Sequence, residues 1–212
     1  MREEFQKQLE LLNEELKVMG GLIESAIANA VKALDGDENA IEKAHKYEKE
    51  INKKERDIES LCLKLLLTQQ PVASDLRLIS SALKMITDME RIGDQAEDIA
   101  EIAASVKTQQ DIDVYKSKYI QQMAAATIDM VDKSVEAFVK NDVEMARDIA
   151  KCDDVVDELF VQVKNELIKA IKDNVKEDIV DILMVAKYFE RIGDHAVNIG
   201  EWVEFSITGH HE

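Results

Sequence analysis

The chain has 212 residues, 44 acidic side chains against 27 basic ones, and a formal net charge of −17. That balance argues against nucleic-acid binding, which needs cationic side chains to neutralise phosphates, and against adhesion to anionic lipid, whereas it suits metal cations or a basic protein partner. A single proline, few aromatics and one third charged residues favour long amphipathic helices and exclude a β-sandwich or an α/β fold.

The opening MREEFQKQLE has no apolar signal core, and no run approaches the length of a membrane span. A soluble, cytoplasmic protein without direct membrane insertion is therefore expected. Cys62 and Cys152 lie in helical patterns and read as small buried hydrophobes of a reducing compartment.

In chain order, Phe5, Leu9, Leu12, Leu16, Met19, Ile23, Ala26 and Ala30 alternate spacings of four and three, the stripe of one helix. At about 1.5 Å per residue its roughly thirty residues reach ~45 Å, up to a turn at Asp35-Gly36-Asp37. A second helix carries Ile41, Ala44, Ile51, Ile58, Leu61 and Leu65 and is broken at Gln70-Pro71. Ser74 or Asp75 is the expected cap of a third, with Leu76, Ile79, Leu83, Ile86 and Ile99. Polar residues over Thr108–Asp113 interrupt the pattern, with Asp111 or Asp113 a candidate cap for the next helix. Met123, Met130 and Phe138 mark that fourth helix, ending near Asn141-Asp142. Val155, Val156, Leu159, Val163 and Ile171 mark a fifth ending around Asp173-Asn174, and Ile179, Leu183, Ala186, Ile192 and Ile199 a sixth.

The two halves superimpose. At an offset of 105, Gly36-Asp37 falls on Asn141-Asp142 and Leu66 on Ile171; beyond Pro71 the offset becomes 100, and Ile79 falls on Ile179, Leu83 on Leu183 and Glu101 on Glu201. The first half has five more residues between its second and third helices. The expected fold is all-α, with two tandem three-helix bundles over 1–108 and 109–212 related by an internal pseudo-two-fold axis.

At the offset of 100 the pentapeptide ERIGD repeats, at Glu90–Asp94 and Glu190–Asp194. Glu90, Asp94 and Asp98 are spaced i, i+4, i+8 and project from one side of the third helix; Glu190, Asp194 and Asn198 do so on the sixth. Like charges at i, i+4 cost roughly 0.2–0.5 kcal/mol, and Arg91 and Arg191 flank the row without having to neutralise it. Gly93 and Gly193 cost roughly 1 kcal/mol each inside a helix, a cost that close approach of a neighbouring helix would offset. Asp153 and Asp157 on the fifth helix, and Glu48 and Asn52 at the aligned positions of the second, are candidates to face these rows across a seam. Convergent carboxylates without cysteine suit Mg²⁺, Ca²⁺, Mn²⁺ or iron better than a structural zinc tetrahedron. Among 44 acidic residues, however, a solvated acidic face accounts equally for any single pair.

Other patterns are weaker. His195 replaces the Gln95 of the first copy and reads as surface or helix capping, and His210-His211 as tail. Glu42-x-x-His45 has the spacing of di-iron carboxylate bundles but occurs once, where those need two. Met19, Met85, Met89, Met123, Met130 and Met184 read as core filler. No phosphate-binding glycine loop, dinucleotide fingerprint or nucleophile motif is present.

The two ERIGD motifs, the two-times-three-helix organisation and the segment QQPVASDLR at Gln69–Arg77 resemble the PhoU family of bacterial phosphate-transport accessory and regulatory proteins, over essentially the whole chain. The resemblance implies a cytoplasmic pair of three-helix bundles binding metal clusters on E-x-x-x-D rows, with iron foremost and Mg, Mn, Ca or Zn as alternatives. It also implies regulation of the phosphate ABC transporter through its ATPase subunit, and repression of the phosphate-starvation response through a membrane sensor histidine kinase. A homodimer is expected, and no enzymatic activity. Carried over, the implied metal positions are Glu90, Asp94, Glu190 and Asp194, with Asp153 and Asp157 on the preceding helix; Glu48 and Asn52 depart from that pattern. Asn52 for Asp157, and Asn198 for Asp98, make the two sites unequal in charge. The competing readings are a carboxylate-bridged metal enzyme and a plain helical scaffold.

Overall fold

The computed structural model describes residues 2–69, 72–105, 118–173 and 178–210. The expectations resting on Pro71, the 108/109 boundary, Asp111 and Asp113 as caps, the Ile171 side chain and His211 fall outside them. Within the described residues there are six α-helices and no strand: α1 Arg2–Leu34, α2 Glu38–Gln69, α3 Ala73–Ser105, α4 Lys118–Lys140, α5 Val143–Asp173 and α6 Asp178–Thr208.

The duplication is plainest at the turns. Gly36 ends α1 at φ 93° and Asn141 ends α4 at φ 53°, the left-handed conformation that glycine and asparagine tolerate best. Gly36 N–H donates to Ala33 O at 2.9 Å and Asp37 N–H to Lys32 O at 3.0 Å, the paired bonds that satisfy the last carbonyls of a helix. Asn141 and Asp142 repeat them on Phe138 and Ala137, at 3.2 and 2.9 Å. The aspartate that completes each stop also caps the next helix: Asp37 Oδ1 accepts from Asn39 N–H, and Asp142 Oδ1 from Met145 N–H, each at 3.0 Å. Two residues at each turn thus fix the reversals that make α1 and α2, and α4 and α5, antiparallel.

At α3 the expected cap differs. Val72 O accepts from Leu76 N–H at 2.9 Å, so the helix begins before Ser74 and Asp75, and Asp75 instead places its charge in the first turn.

α1, α2 and α3 pack on one another, as do α4, α5 and α6; the halves meet chiefly through α3 against α6 and secondarily through α1 against α4. Each crossing helix meets its own counterpart, as an internal two-fold axis requires. The α1 stripe lies inside, with Leu12, Leu16, Met19 and Ile23 fully buried. Val155, Leu183 and Met184 do not follow the inward reading, and each is exposed next to a buried neighbour: Val156, Ile182 and Val185 respectively. Adjacent residues are 100° apart on a helix, so only one of two neighbouring apolar side chains can point inward. Leu76, in the first turn of α3, is also exposed. Cys62 is buried, as expected, whereas Cys152 is half-buried with its Sγ 3.7 Å from Lys133 Nζ.

Close helix contact in the second half has a direct test. A Cβ on Gly200 would meet the backbone oxygen of Ala146 on α5 at 2.9 Å and the side chain of Ile149 at 3.1 Å, whereas one on Gly21 would meet nothing within 4 Å. Gly21→Ala is expected to stabilise by about 0.5–1 kcal/mol through helix propensity. Gly200→Ala should destabilise by about 1–3 kcal/mol despite the same propensity gain, because α5 and α6 must part. Urea unfolding of the two variants checks this; equal stabilisation by both would contradict the packing.

Candidate metal centre

The second half shows how its site is built. Asp153 on α5 faces the ERIGD glycine of α6: a Cβ on Gly193 would lie 2.5 Å from Asp153 Oδ1, a distance real Cβ atoms do not adopt. A side chain at residue 193 would displace that carboxylate from its place between the helices, so the glycine and the acidic row are coupled in this half. Asp153 Oδ1 is buried and has no hydrogen-bond partner in the protein. Burial first, and then the charges of Asp157, Asp194 and Glu190, push its carboxyl from 3.8 up to about 6. Burial followed by Glu190 likewise raises Asp194, which Lys187 partly offsets. Lys187 also bonds Glu190 and lies over the ring of Phe160 at 5.8 Å. The structure thus brings Asp153, Asp157, Glu190 and Asp194 together across the α5–α6 seam.

In the first half the equivalent seam, α2 on α3, differs in detail. A Cβ on Gly93 would meet Ile51 side-chain carbons at 3.0 and 3.1 Å, so here the glycine makes room for an apolar contact. Glu48 reaches the row: burial, then Glu97 and Asp94, raise it. Asn52 Nδ2 donates to Glu48, leaving Asn52 Oδ1 buried without a partner. Sequence reasoning missed Glu55. Burial raises it first, and Asp94 contributes; burial, Asp94 and Glu55 in that order raise Glu90. Its signal was available, since Glu55 stands i+7 from Glu48 and i+3 from Asn52 on one helical face, where the second half has Phe160. With Glu48, Glu55, Glu90 and Asp94, the first seam carries as many carboxylates as the second, so Asn52 does not leave it poorer in charge. Arg91, 57% exposed, approaches Glu90 at 3.7 Å and Asp94 at 3.9 Å, a loose pairing rather than a neutralised row.

The third member of each row stands apart. At 100° per residue, i+8 has turned ~80° away from i, enough to carry it from the seam to the interface between the halves. Asp98 accepts a hydrogen bond from Tyr188 of α6. Asn198 Nδ2 donates to Asp88 Oδ1 of α3 at 3.2 Å. Asp88 and Tyr188 are aligned at the offset of 100, so these are the same contact made twice. His195, expected at the surface or as a cap, instead joins this interface, with Nδ1 2.9 Å from Asp88 Oδ1. Met184, expected in the core, is 40% exposed at the position of the exposed Lys84. His210 is exposed, its backbone N–H donating to Thr208 Oγ1 at 3.1 Å.

The donors fit a hard cation. Each seam holds several carboxylates that burial and mutual repulsion drive toward protonation, together with one buried oxygen left without a partner, Asn52 Oδ1 or Asp153 Oδ1. An unpaired buried oxygen costs free energy that a bound cation would recover. Because Asp153 is raised in the folded chain, the stability it contributes is present below its ordinary value and is lost as pH rises through about 6. In chelator, the wild type should therefore lose thermal stability between about pH 4 and pH 6, whereas Asp153→Asn, which cannot ionise, should show a flatter profile and a higher Tm at pH 7. Calorimetry across that range checks this, and an identical slope in the variant would contradict it.

Comparison with known proteins gives the family. A family model for the PhoU domain matches the chain twice, over residues 16–103 and 120–203, once on each bundle. The phosphate-specific transport system accessory protein PhoU homolog of Clostridium acetobutylicum is 35% identical, covering 98% of this chain and 96% of its own length. The phosphate-specific transport system accessory protein PhoU of Escherichia coli is 28% identical over 97% of this chain and 86% of its own. The crystal structure of PhoU from Pseudomonas aeruginosa superimposes with a TM-score of 0.86 at 32% identity, over 97% of this chain and all (100%) of that one. The phosphate transport system regulatory protein PhoU from Streptococcus pneumoniae does so with 0.89 at 26% identity, over 98% and 99%. The chain belongs to the PhoU family.

Proposed function

We propose that the protein is a metal-binding regulator of phosphate uptake and of the phosphate-starvation response. It acts in the cytoplasm on the ATPase subunit of the phosphate ABC transporter and on a membrane sensor histidine kinase. The part in phosphate transport is supported by the names of the relatives, which are accessory and regulatory proteins of phosphate transport systems. The charge of −17 supports action through proteins rather than through DNA. No helix among the described residues is long and apolar enough to cross a membrane, so the proposed membrane partners would be met from outside the bilayer.

The observation that carries the metal reading is the buried, partnerless Asp153 Oδ1 held among three further carboxylates in space that Gly193 leaves open. A solvated scaffold gains nothing from that arrangement. In the second half Asp153, Asp157, Glu190 and Asp194 would hold the metal; in the first, Glu48, Glu55, Glu90 and Asp94 with Asn52 Oδ1. Iron, manganese and magnesium suit such oxygen donors. A bound cation supplies positive charge that turns a repulsive seam into a cross-link between two helices. A metal enzyme of the di-iron kind would add histidine ligands beside the rows, and His195 is instead taken up by Asp88.

Deletion of the gene is expected to leave phosphate-scavenging genes expressed in phosphate-rich medium, and the wild-type gene to restore repression. Glu190→Ala/Asp194→Ala should fail to restore it despite wild-type protein levels. Reporter expression and immunoblotting check this. Normal repression in the deletion strain would overturn the regulatory reading; full rescue by the variant would overturn the part given to the second seam.

A further inference from the structure

One histidine is placed among carboxylates away from the proposed donors. His45, on α2, faces Glu97 and Glu101, an i, i+4 pair on α3; one nitrogen or oxygen from each of the three lies within 4.8 Å of the other two. His45 Nδ1 and Glu97 Oε1 are already 2.6 Å apart. A cation bound at about 2.0–2.2 Å to each donor holds its ligands at most ~4.4 Å apart, so only a small side-chain adjustment separates this trio from a coordination site. The sequence singled out His45 through Glu42, one turn back on the same helix; the structure gives it different partners, across the seam. We propose that His45, Glu97 and Glu101 form a cation site of mixed nitrogen and oxygen donors, distinct from the carboxylate seams and confined to the first repeat, that takes a borderline divalent ion of the zinc type.

Three observations support it. An imidazole among carboxylates shifts preference from magnesium and calcium toward zinc and late first-row ions, so this trio and the oxygen-only seams differ in the ion they select. Among the described residues neither Glu97 nor Glu101 has a lysine or arginine partner, and Lys46, beside His45, pairs with Glu50 at 3.6 Å. The duplicated scaffold does not produce the trio by itself. At the aligned positions the second half has Ala150, Val197 and Glu201, which line a cavity of about 210 Å³ beside Arg147 and Glu204. There Arg147 bonds Glu204 at 2.6 and 2.9 Å, so the same corner of the second bundle holds an ion pair where the first holds three ligands.

The proposal goes beyond the seam reading, because none of its donors is a seam donor, although Glu97 lies near enough to Asp94 and Glu48 to raise both. Zinc titration of the metal-free, full-length protein by calorimetry, with ¹H–¹⁵N spectra of the imidazoles, tests it. The wild type should bind one more equivalent of Zn²⁺ than His45→Gln, and the His45 ring nitrogens should shift on addition. Glu90→Gln/Asp94→Asn/Glu190→Gln/Asp194→Asn should keep that equivalent and that shift even if it has lost every other metal. Glu101→Gln, on the other helix, should lose the equivalent as His45→Gln does, with circular dichroism confirming that both fold. Equal zinc stoichiometry in wild type and His45→Gln, an unmoved His45 signal, or loss of the equivalent in the seam variant would each overturn the proposal. A seam variant that retains all its iron would overturn the seam reading alone.

Discussion

A carboxylate oxygen held between two helices, in space that a glycine leaves open, is the constraint on which the rest of this molecule turns. Asp153 Oδ1 lies 2.5 Å from where a Cβ on residue 193 would be, too close for both to keep their places. The helices must approach closely for that to occur, and the approach desolvates the acidic row and raises Asp153 and Asp194. Either feature alone would cost stability. Together they form the seam proposed to hold a cation, which would relieve the repulsion and the unpaired oxygen at once. On that proposal folding and metal binding are coupled, since a cation that neutralises the seam would stabilise the bundle that forms it.

The seams are tied to one another through α3 and α6, which carry both the rows and the interface between the halves. The inward turns of those helices end in the seam carboxylates, and the next turn crosses to the other bundle through Asp98–Tyr188 and Asn198–Asp88. Lys84 of α3 lies over the Trp202 ring of α6 at 5.9 Å on the same interface. A change in the position of α6 on filling its seam would therefore be felt by α3 through direct side-chain contact, a physical route between the two sites within one chain.

Much of this was legible in the sequence. Six helices, their duplication and the seams follow from apolar periodicity and from the aligned pairs Gly36-Asp37 and Asn141-Asp142, because the stop and start of a helix are local chemistry. That Gly93 and Gly193 admit a neighbouring helix was also legible, since glycine within a helix needs a reason. The identity of the group each glycine meets first was not: Ile51 in one half, and in the other Asp153, which lies nearer than Val156, the counterpart of Ile51. The drift of Asp98 and Asn198 out of their rows follows from helical geometry. The engagement of His195 with Asp88 does not, since the partners are 107 residues apart. Glu55 has no acidic counterpart, Phe160 standing at the aligned position, so the repeat itself does not mark it.

The two seams are thus similar in charge and different in construction, with Asn52 and Glu55 in one where Asp157 and Phe160 stand in the other. The central claim, that they are cation sites made by close helix approach, is tested most directly by anomalous diffraction from crystals loaded with iron or manganese. Data collected on either side of the metal's absorption edge should give a peak within coordination distance of Asp153, Glu190 and Asp194, and a second among Glu48, Glu90 and Asp94. An anomalous map with no peak in either seam, at metal concentrations that saturate the protein in solution, would contradict the account.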